Sequence, residues 1–201
     1  MNGLYIIITN PIVGYTELTE TAVSCGVSII QLRIKNADVD KLGIAKKIKN
    51  ITNKSNTLFI VNDDIHLAIK SDADGVHLGQ NDLPILEAVR FWNNPNKIIG
   101  ISTHNKQQAI DAEKNGADYI GIGPVYSTRS KFDLDPILGI DEAQKINSLY
   151  SGPTFAIGGI DKTNLKYVKK INTNGFCVLS AVNNTKNPEK IIKELQENWK
   201  A

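Results

Sequence analysis

The chain has 201 residues, 41% hydrophobic and 22% charged, enough to bury one substantial core, and a single domain over residues 1–201 is expected. With 23 Lys and Arg against 21 Asp and Glu the formal net charge is +2, and the lysines are scattered along helical stretches without aromatic clustering, which argues against nucleic acid as a partner. The apolar stretch in MNGLYIIITN is too short for a secretory signal and no run approaches the roughly 18 residues of a membrane span, so a cytoplasmic protein without a membrane partner is expected.

In chain order, eight short β-branched runs recur: YIIIT, VSIIQLR, TLFIVND, DGVHLG, KIIGIST, DYIGIGPV, TFAIGG and GFCVLSAV. Segments of about ten or more residues with helical spacing separate them. Asn105 is placed to cap KQQAIDAEKNG, which stops at Gly116, and Asn187-Pro188 opens EKIIKELQENW with Ile192, Leu195 and Trp199 on one face. Strict alternation of strand and helix predicts a parallel sheet covered by helices, and near-continuous Ile and Val predicts strands buried on both faces. Eight such units fit the α/β class and a single compact (β/α)₈ TIM barrel with short loops. Cys25 and Cys177 lie far apart without metal-type spacing and read as two small buried thiols.

Catalytic residues of such barrels gather at the C-terminal ends of the strands. Asp63 and Asp82 are expected at the ends of the third and fourth runs. Two adjacent carboxylates repel unless a proton or cation lies between them, and an all-oxygen site with few protein ligands suits Mg²⁺ shared with a substrate phosphate. The competing reading is helix capping, which suits Asp64 best. In IIQLRIK, Gln31, Arg33 and Lys35 share one parity and Ile30, Leu32 and Ile34 the other. The Ile face should meet the helices, which turns the Gln31, Arg33 and Lys35 face into the barrel, where cations need a polyanion or a carboxylate partner.

A second anion site is suggested by AIGGID and VLSAV, where Gly158-Gly159 allows close approach of backbone N–H groups, although such pairs also serve ordinary turns. Between the two sites Thr128, Arg129, Ser130 and Lys131 form a polar loop, either an exposed turn or a cover that closes over substrate. His66 falls on a helix, His77 inside the fourth strand and His104 after the fifth. None has a nucleophile or metal-type partner, so packing or surface hydrogen bonds are expected of all three.

The ordered set QLRIK, VNDD, GVHLGQND, GISTH, GIGPVYSTRSK, AIGGI and VLSAV resembles the thiamine phosphate synthase family, within the superfamily that also holds TenI-like thiazole tautomerases. The resemblance implies a transferase that joins hydroxymethylpyrimidine diphosphate to hydroxyethylthiazole phosphate, or its carboxylated form, releasing pyrophosphate and giving thiamine phosphate. By similarity, Gln31, Leu32, Arg33, Ile34, Lys35, Asn62, Ser102 and Lys131 bind the pyrimidine diphosphate. Asp63 and Asp82 hold Mg²⁺, and Thr128, Arg129, Ser130, Gly159, Leu179 and Ser180 hold the thiazole phosphate. Arg33, Lys35, Ser102 and Lys131 are the implied catalytic groups of a Mg²⁺-assisted dissociative substitution, Arg33, Lys35 and Lys131 acting on the departing diphosphate and Ser102 on the pyrimidine. The thiazole nitrogen attacks with its own lone pair, so the family needs no base for bond formation.

Several positions depart from the family pattern: Ile34 where a charged residue is frequent, Ser130 where Thr is, Asn10 where Asp is, and the segment FDLDPILGID after Lys131. A thiazole tautomerase or a non-catalytic thiazole-phosphate-binding protein would share the fold but not need the paired acids and the basic second strand. A sugar-phosphate epimerase or isomerase would need an acid/base pair instead. Phosphorylated small molecules are the expected partners, and a homo-oligomer stays open.

Overall fold

A computed structural model describes residues 1–36, 38–128 and 136–200. Strands β1 (Gly3–Ile8), β2 (Ile29–Leu32), β3 (Leu58–Asn62), β4 (Gly75–Leu78), β5 (Ile98–Thr103), β6 (Tyr119–Ile122), β7 (Thr154–Ala156) and β8 (Gly175–Val178) close a barrel in sequence order. Every neighbouring pair is parallel, β8 with β1 included. Helices α1 (Tyr15–Ser24), α2 (Lys41–Thr52), α3 (Ile65–Lys70), α4 (Ile85–Trp92), α5 (Lys106–Lys114), α6 (Gly139–Asn147), α7 (Leu165–Val168), α8 (Ser180–Asn183) and α9 (Pro188–Lys200) follow the strands. The expected (β/α)₈ barrel is therefore the fold, and no helix among the described residues is long and apolar enough to cross a membrane.

Strand parity divides the core in two. Ile6, Ile8, Ile30, Leu32, Phe59, Val61, Val76 and Leu78 belong to the cluster that includes the buried residues of the helices. Tyr5, Ile7, Ile29, Ile60, Tyr119, Phe155 and Cys177 form a separate cluster inside the barrel. Both faces are thus removed from water, which explains runs that are apolar throughout. Phe155 meets Tyr5 edge-on at 5.4 Å and Tyr119 at 5.8 Å, the arrangement that aligns ring edges with ring faces. Glycine makes the room: a Cβ at Gly100 would land in the Tyr119 ring, and one at Gly175 would lie 2.6 Å from Phe155.

The helix starts follow the capping rules. Asp64 accepts from Leu67 N at 2.9 Å, Asn105 from Gln108 N at 2.9 Å, and Asn187 from Lys190 N at 3.2 Å. Each side-chain oxygen satisfies a first-turn N–H that lacks a helical partner. On α9, Ile192 and Leu195 are buried and Trp199 packs on Phe176 with ring centroids 4.9 Å apart. Two expectations need correction. Strand β2 stops at Leu32, because its neighbour β1 stops at Ile8; Arg33 still donates its N–H to Ile8 O at 2.9 Å, and no pairing follows. Cys177 is buried, but Cys25, just past the end of α1, is only half-buried; both are free thiols.

The N-terminal ends of the strands carry a device that the sequence reading missed. The residue just before each of β4, β6 and β8 accepts an N–H from the preceding strand. Asp74 takes Phe59 N at 2.8 Å, Asp118 takes Ile99 N at 2.7 Å, and Asn174 takes Thr154 N at 2.9 Å. The signal was the recurring DADG, GADY and NTNG. Asp74 also receives the Lys49 ammonium at 2.5 Å, whose side chain is only 11% exposed. Asp74→Ala should therefore cost about 3 kcal/mol, by stranding a largely buried cation and an N–H together. A melting temperature lower by roughly 6–12 °C, with Michaelis constants unchanged because the site lies at the opposite strand ends, is the expected result.

Candidate active site

A cavity of about 750 Å³ lies over the C-terminal ends of the strands, and each of the eight contributes to its lining directly or through the loop that follows it. Gln31, Arg33, Lys35, Asn62, Asp63 and Asp82 line it, as do Ser102, Thr128, Gly159, Leu179 and Ser180. Leu32 is buried in the outer core and Ile34 packs against it, so these two side chains stay on the helix side. Arg129, Ser130 and Lys131 lie outside the described residues.

On one side of the cavity the acids meet. Asp63 directly follows β3 with φ 63°, a left-handed conformation that Asp and Asn tolerate better than most residues. Its N–H donates to His77 O at 2.8 Å, which anchors the turn to the adjacent β4. Asp82 is not at the end of β4 as expected but four residues beyond it. The loop folds back because the Asp82 carboxylate accepts the N–H of Gly79 at 2.7 Å. Both carboxyls line the same cavity, each near enough to shift the other's proton affinity. Burial pushes the Asp63 carboxyl up, but the Lys35 ammonium and the neighbouring Asp82 carboxyl outweigh it and hold Asp63 below the usual range. Burial and the neighbouring Asp63 push Asp82 above that range.

The basic face is arranged differently from its sequence expectation. Gln31 alone lies inside the barrel, 2% exposed. Lys35, expected to point inward, has a side chain 60% exposed and reaches back to Asp63 Oδ2 at 2.5 Å. The reason is the early end of β2, after which alternation no longer dictates direction. Arg33 remains half-buried at the cavity wall. The result is a rim with two cations and two carboxylates, open to solvent on one side.

Below the rim a polar chain crosses the apolar interior. Gln31 Nε2 donates to Tyr5 Oη at 2.6 Å, Tyr5 Oη lies 2.9 Å from Tyr119 Oη, and that lies 2.9 Å from His77 Nδ1. His77 Nε2 is 3.0 Å from Ser102 Oγ. Burial pushes both phenols far above the ordinary tyrosine value. His77 is packed and hydrogen-bonded, as expected, but it also lines the cavity. His104 contacts Gly123 O through Nδ1 at 2.6 Å, and His66 lies exposed and edge-on to Phe91. The inward parity that Gly75 and His77 share in GVHL could have flagged His77.

The other side of the cavity is built from backbone. Gly158 and Gly159 have φ of 101° and 62° and press on the segment after β6, where Val125 N donates to Ile157 O at 2.8 Å and Tyr126 N to Gly158 O at 3.0 Å. Leu179 and Ser180 begin α8. Asn183, 1% exposed and missed by the sequence reading, holds this corner. Its amide donates to Ile7 O and Leu179 O at 2.7 Å each, and its oxygen accepts Thr9 N at 2.9 Å. Strands β8 and β1 are thereby locked together beside the cavity.

Comparison with known proteins agrees with this architecture. Residues 4–182 match the family model described as thiamine monophosphate synthase. A thiamine-phosphate synthase of Clostridium botulinum is 42% identical over 184 residues, covering 90% of this chain and 89% of that protein. The thiamine phosphate pyrophosphorylase structure from Pyrococcus furiosus superposes with a TM-score of 0.89 at 36% identity, covering 98% and 95% of the two chains. The 3-hexulose-6-phosphate synthase of Salmonella typhimurium, at 14% identity and a TM-score of 0.77 over 99% and 98%, shares the fold alone. On this match of sequence and structure, the chain belongs to the thiamine monophosphate synthase family.

Proposed function

We propose that this chain is a thiamine phosphate synthase that condenses hydroxymethylpyrimidine diphosphate with hydroxyethylthiazole phosphate, or its carboxylated form, and releases pyrophosphate. The observation that carries the reading is a single cavity with a charged rim at Asp63, Asp82, Arg33 and Lys35 on one side and the Gly158-Gly159 backbone on the other. Two anionic substrates held in one cavity have their reacting ends brought together, which converts a bimolecular encounter into a positioned one.

Asp63 and Asp82 fit Mg²⁺. They are hard oxygen donors on the same cavity, electrostatically coupled to each other, and no group of three or more His, Cys, Asp or Glu among the described residues competes for a softer metal. Asp63 and Asp82 would hold the ion jointly with the substrate diphosphate, since a site with few protein carboxylates suits Mg²⁺ better than a softer metal. When bound, the ion supplies positive charge against the departing diphosphate. Arg33 and Lys35 do the same from the rim, and we assign Lys131 that role from the polar loop. Gln31, Asn62 and Ser102 orient the pyrimidine, and Leu32 and Ile34 contribute through the backbone that carries Arg33 and Lys35. Thr128, Arg129, Ser130, Gly159, Leu179 and Ser180 hold the thiazole phosphate. The attacking nitrogen carries its own lone pair, so no side chain has to remove a proton in the bond-forming step. The reading places the reaction in the cytoplasm, where charged phosphorylated substrates are retained.

Incubating the purified protein with both substrates, in Mg²⁺ or in EDTA, tests this directly. Thiamine phosphate should form in Mg²⁺ and fall to background in EDTA. Absence of product from folded protein that still binds thiazole phosphate would reassign the chain to the tautomerase or binding branch.

A further inference from the structure

The interior cluster needs bulk at Tyr5 and Tyr119, and Phe155 in the same cluster shows that a bare ring serves that purpose. The hydroxyls are a separate feature. Together with Gln31, His77 and Ser102 they make an unbroken series of contacts of 2.6, 2.9, 2.9 and 3.0 Å, with one group from each of β2, β1, β6, β4 and β5. We propose that Tyr5, Tyr119 and His77 are positioning residues of a one-way hydrogen-bond relay, which aims the Ser102 hydroxyl hydrogen into the cavity at an acceptor nitrogen of the heteroaromatic substrate. The inference rests on the synthase reading for the identity of that ring, and on geometry for everything else.

Proton counting sets the direction. The Gln31 amide nitrogen can only donate, so the Tyr5 oxygen accepts and its single hydrogen passes on to Tyr119. Tyr119 in turn gives its hydrogen to His77 Nδ1, which leaves a neutral imidazole with its hydrogen on Nε2. Nε2–H donates to Ser102 Oγ, which leaves the Ser102 hydrogen to point into the cavity that Ser102 lines. Both phenols are held protonated by burial, so neither can break the series by ionising. Each donor polarises the next, so the terminal hydroxyl is a better donor than an isolated serine. A relay of opposite direction would turn Ser102 into an acceptor, suited to an amino group rather than to a ring nitrogen. The direction therefore selects ring chemistry at a residue that the Gln31 amide never touches.

The test is the His77 tautomer, read in the free protein at pH 8, above the usual histidine pKa of about 6.5. Ring ¹⁵N spectra of a chain with three histidines are assigned with single variants of His66 and His104. The expected result is the Nε2–H tautomer in the unmodified protein. In Tyr5→Phe, which leaves the Tyr119–His77 contact in place, the Nδ1–H form should become detectable. Tyr119→Phe, the second variant should the first not fold, should mix the tautomers. It should also lower kcat about tenfold with the Michaelis constant for thiazole phosphate within roughly twofold. A dominant Nδ1–H tautomer in the unmodified protein, or a Tyr5→Phe spectrum identical to it, overturns the relay whatever the synthase assay shows. Absent thiamine phosphate formation would overturn the synthase reading without touching the tautomer.

Discussion

Asp63→Asn is expected to lower turnover at saturating substrates by roughly 10²–10³-fold while moving the melting temperature by only a few degrees. Asn keeps the shape and tolerates the φ of 63° at this position, and the backbone bond from residue 63 to His77 O is independent of the side chain. What it removes is charge, at the atom that meets the Lys35 ammonium at 2.5 Å. Lys35 is largely exposed, so water replaces its lost partner cheaply. Asp82→Asn separates the two roles further. Its amide oxygen still accepts the Gly79 N–H, but the carboxyl whose proton affinity burial and Asp63 raise is gone. An acid with a raised folded-state pKa stabilises the protein only while protonated, and that stability is lost as pH rises through the folded value. Asp82→Asn should therefore lose turnover like Asp63→Asn, yet melt slightly higher than the unmodified protein at pH 7. The gain should vanish below the unfolded carboxylate pKa of about 3.9. Full turnover of Asp63→Asn at high Mg²⁺ would take this acid out of the metal site.

The barrel was legible because its signal is local and repeated: short apolar runs separated by capped helices, with Asp64 and Asn105 capping where expected. Asp63 was legible as an acid directly after such a run, whereas Asp82 reaches the same cavity only through the loop that its bond to Gly79 N–H folds back. Where the reading failed, the deciding contact lay far away in sequence. Strand β2 ends where its neighbour β1 ends, so Lys35 could not be placed from IIQLRIK alone. Tyr5 in LYIII and Tyr119 in DYIGIG count as ordinary apolar positions in a run buried on both faces. Only closure of the barrel reveals that their hydroxyls meet, 114 residues apart. Asn183 is more extreme, since its partner Ile7 is separated from it by 176 residues across the β8–β1 seam.

Gly159→Ala should raise the Michaelis constant for thiazole phosphate on the order of a hundredfold, while the constant for the pyrimidine diphosphate stays within about twofold. Two costs combine. The φ of 62° places a residue with a Cβ in the left-handed region, at about 1–2 kcal/mol. The Cβ itself would lie 2.8 Å from Tyr126 Cβ and closer still to Ser127 O, so part of the wall must move. The wall cannot move alone, because Tyr126 N is bonded to Gly158 O and Val125 N to Ile157 O; the segment leading to Thr128 moves with it. Displacement on this side leaves the Asp63, Asp82 and Lys35 rim untouched, since those residues hang from β3, β4 and the end of β2. Steady-state kinetics with each substrate varied in turn measures the split. A parallel rise in both constants would mean that the cavity does not divide into two anion sites. The glycine pair would then be needed only to pack β7 against the segment after β6.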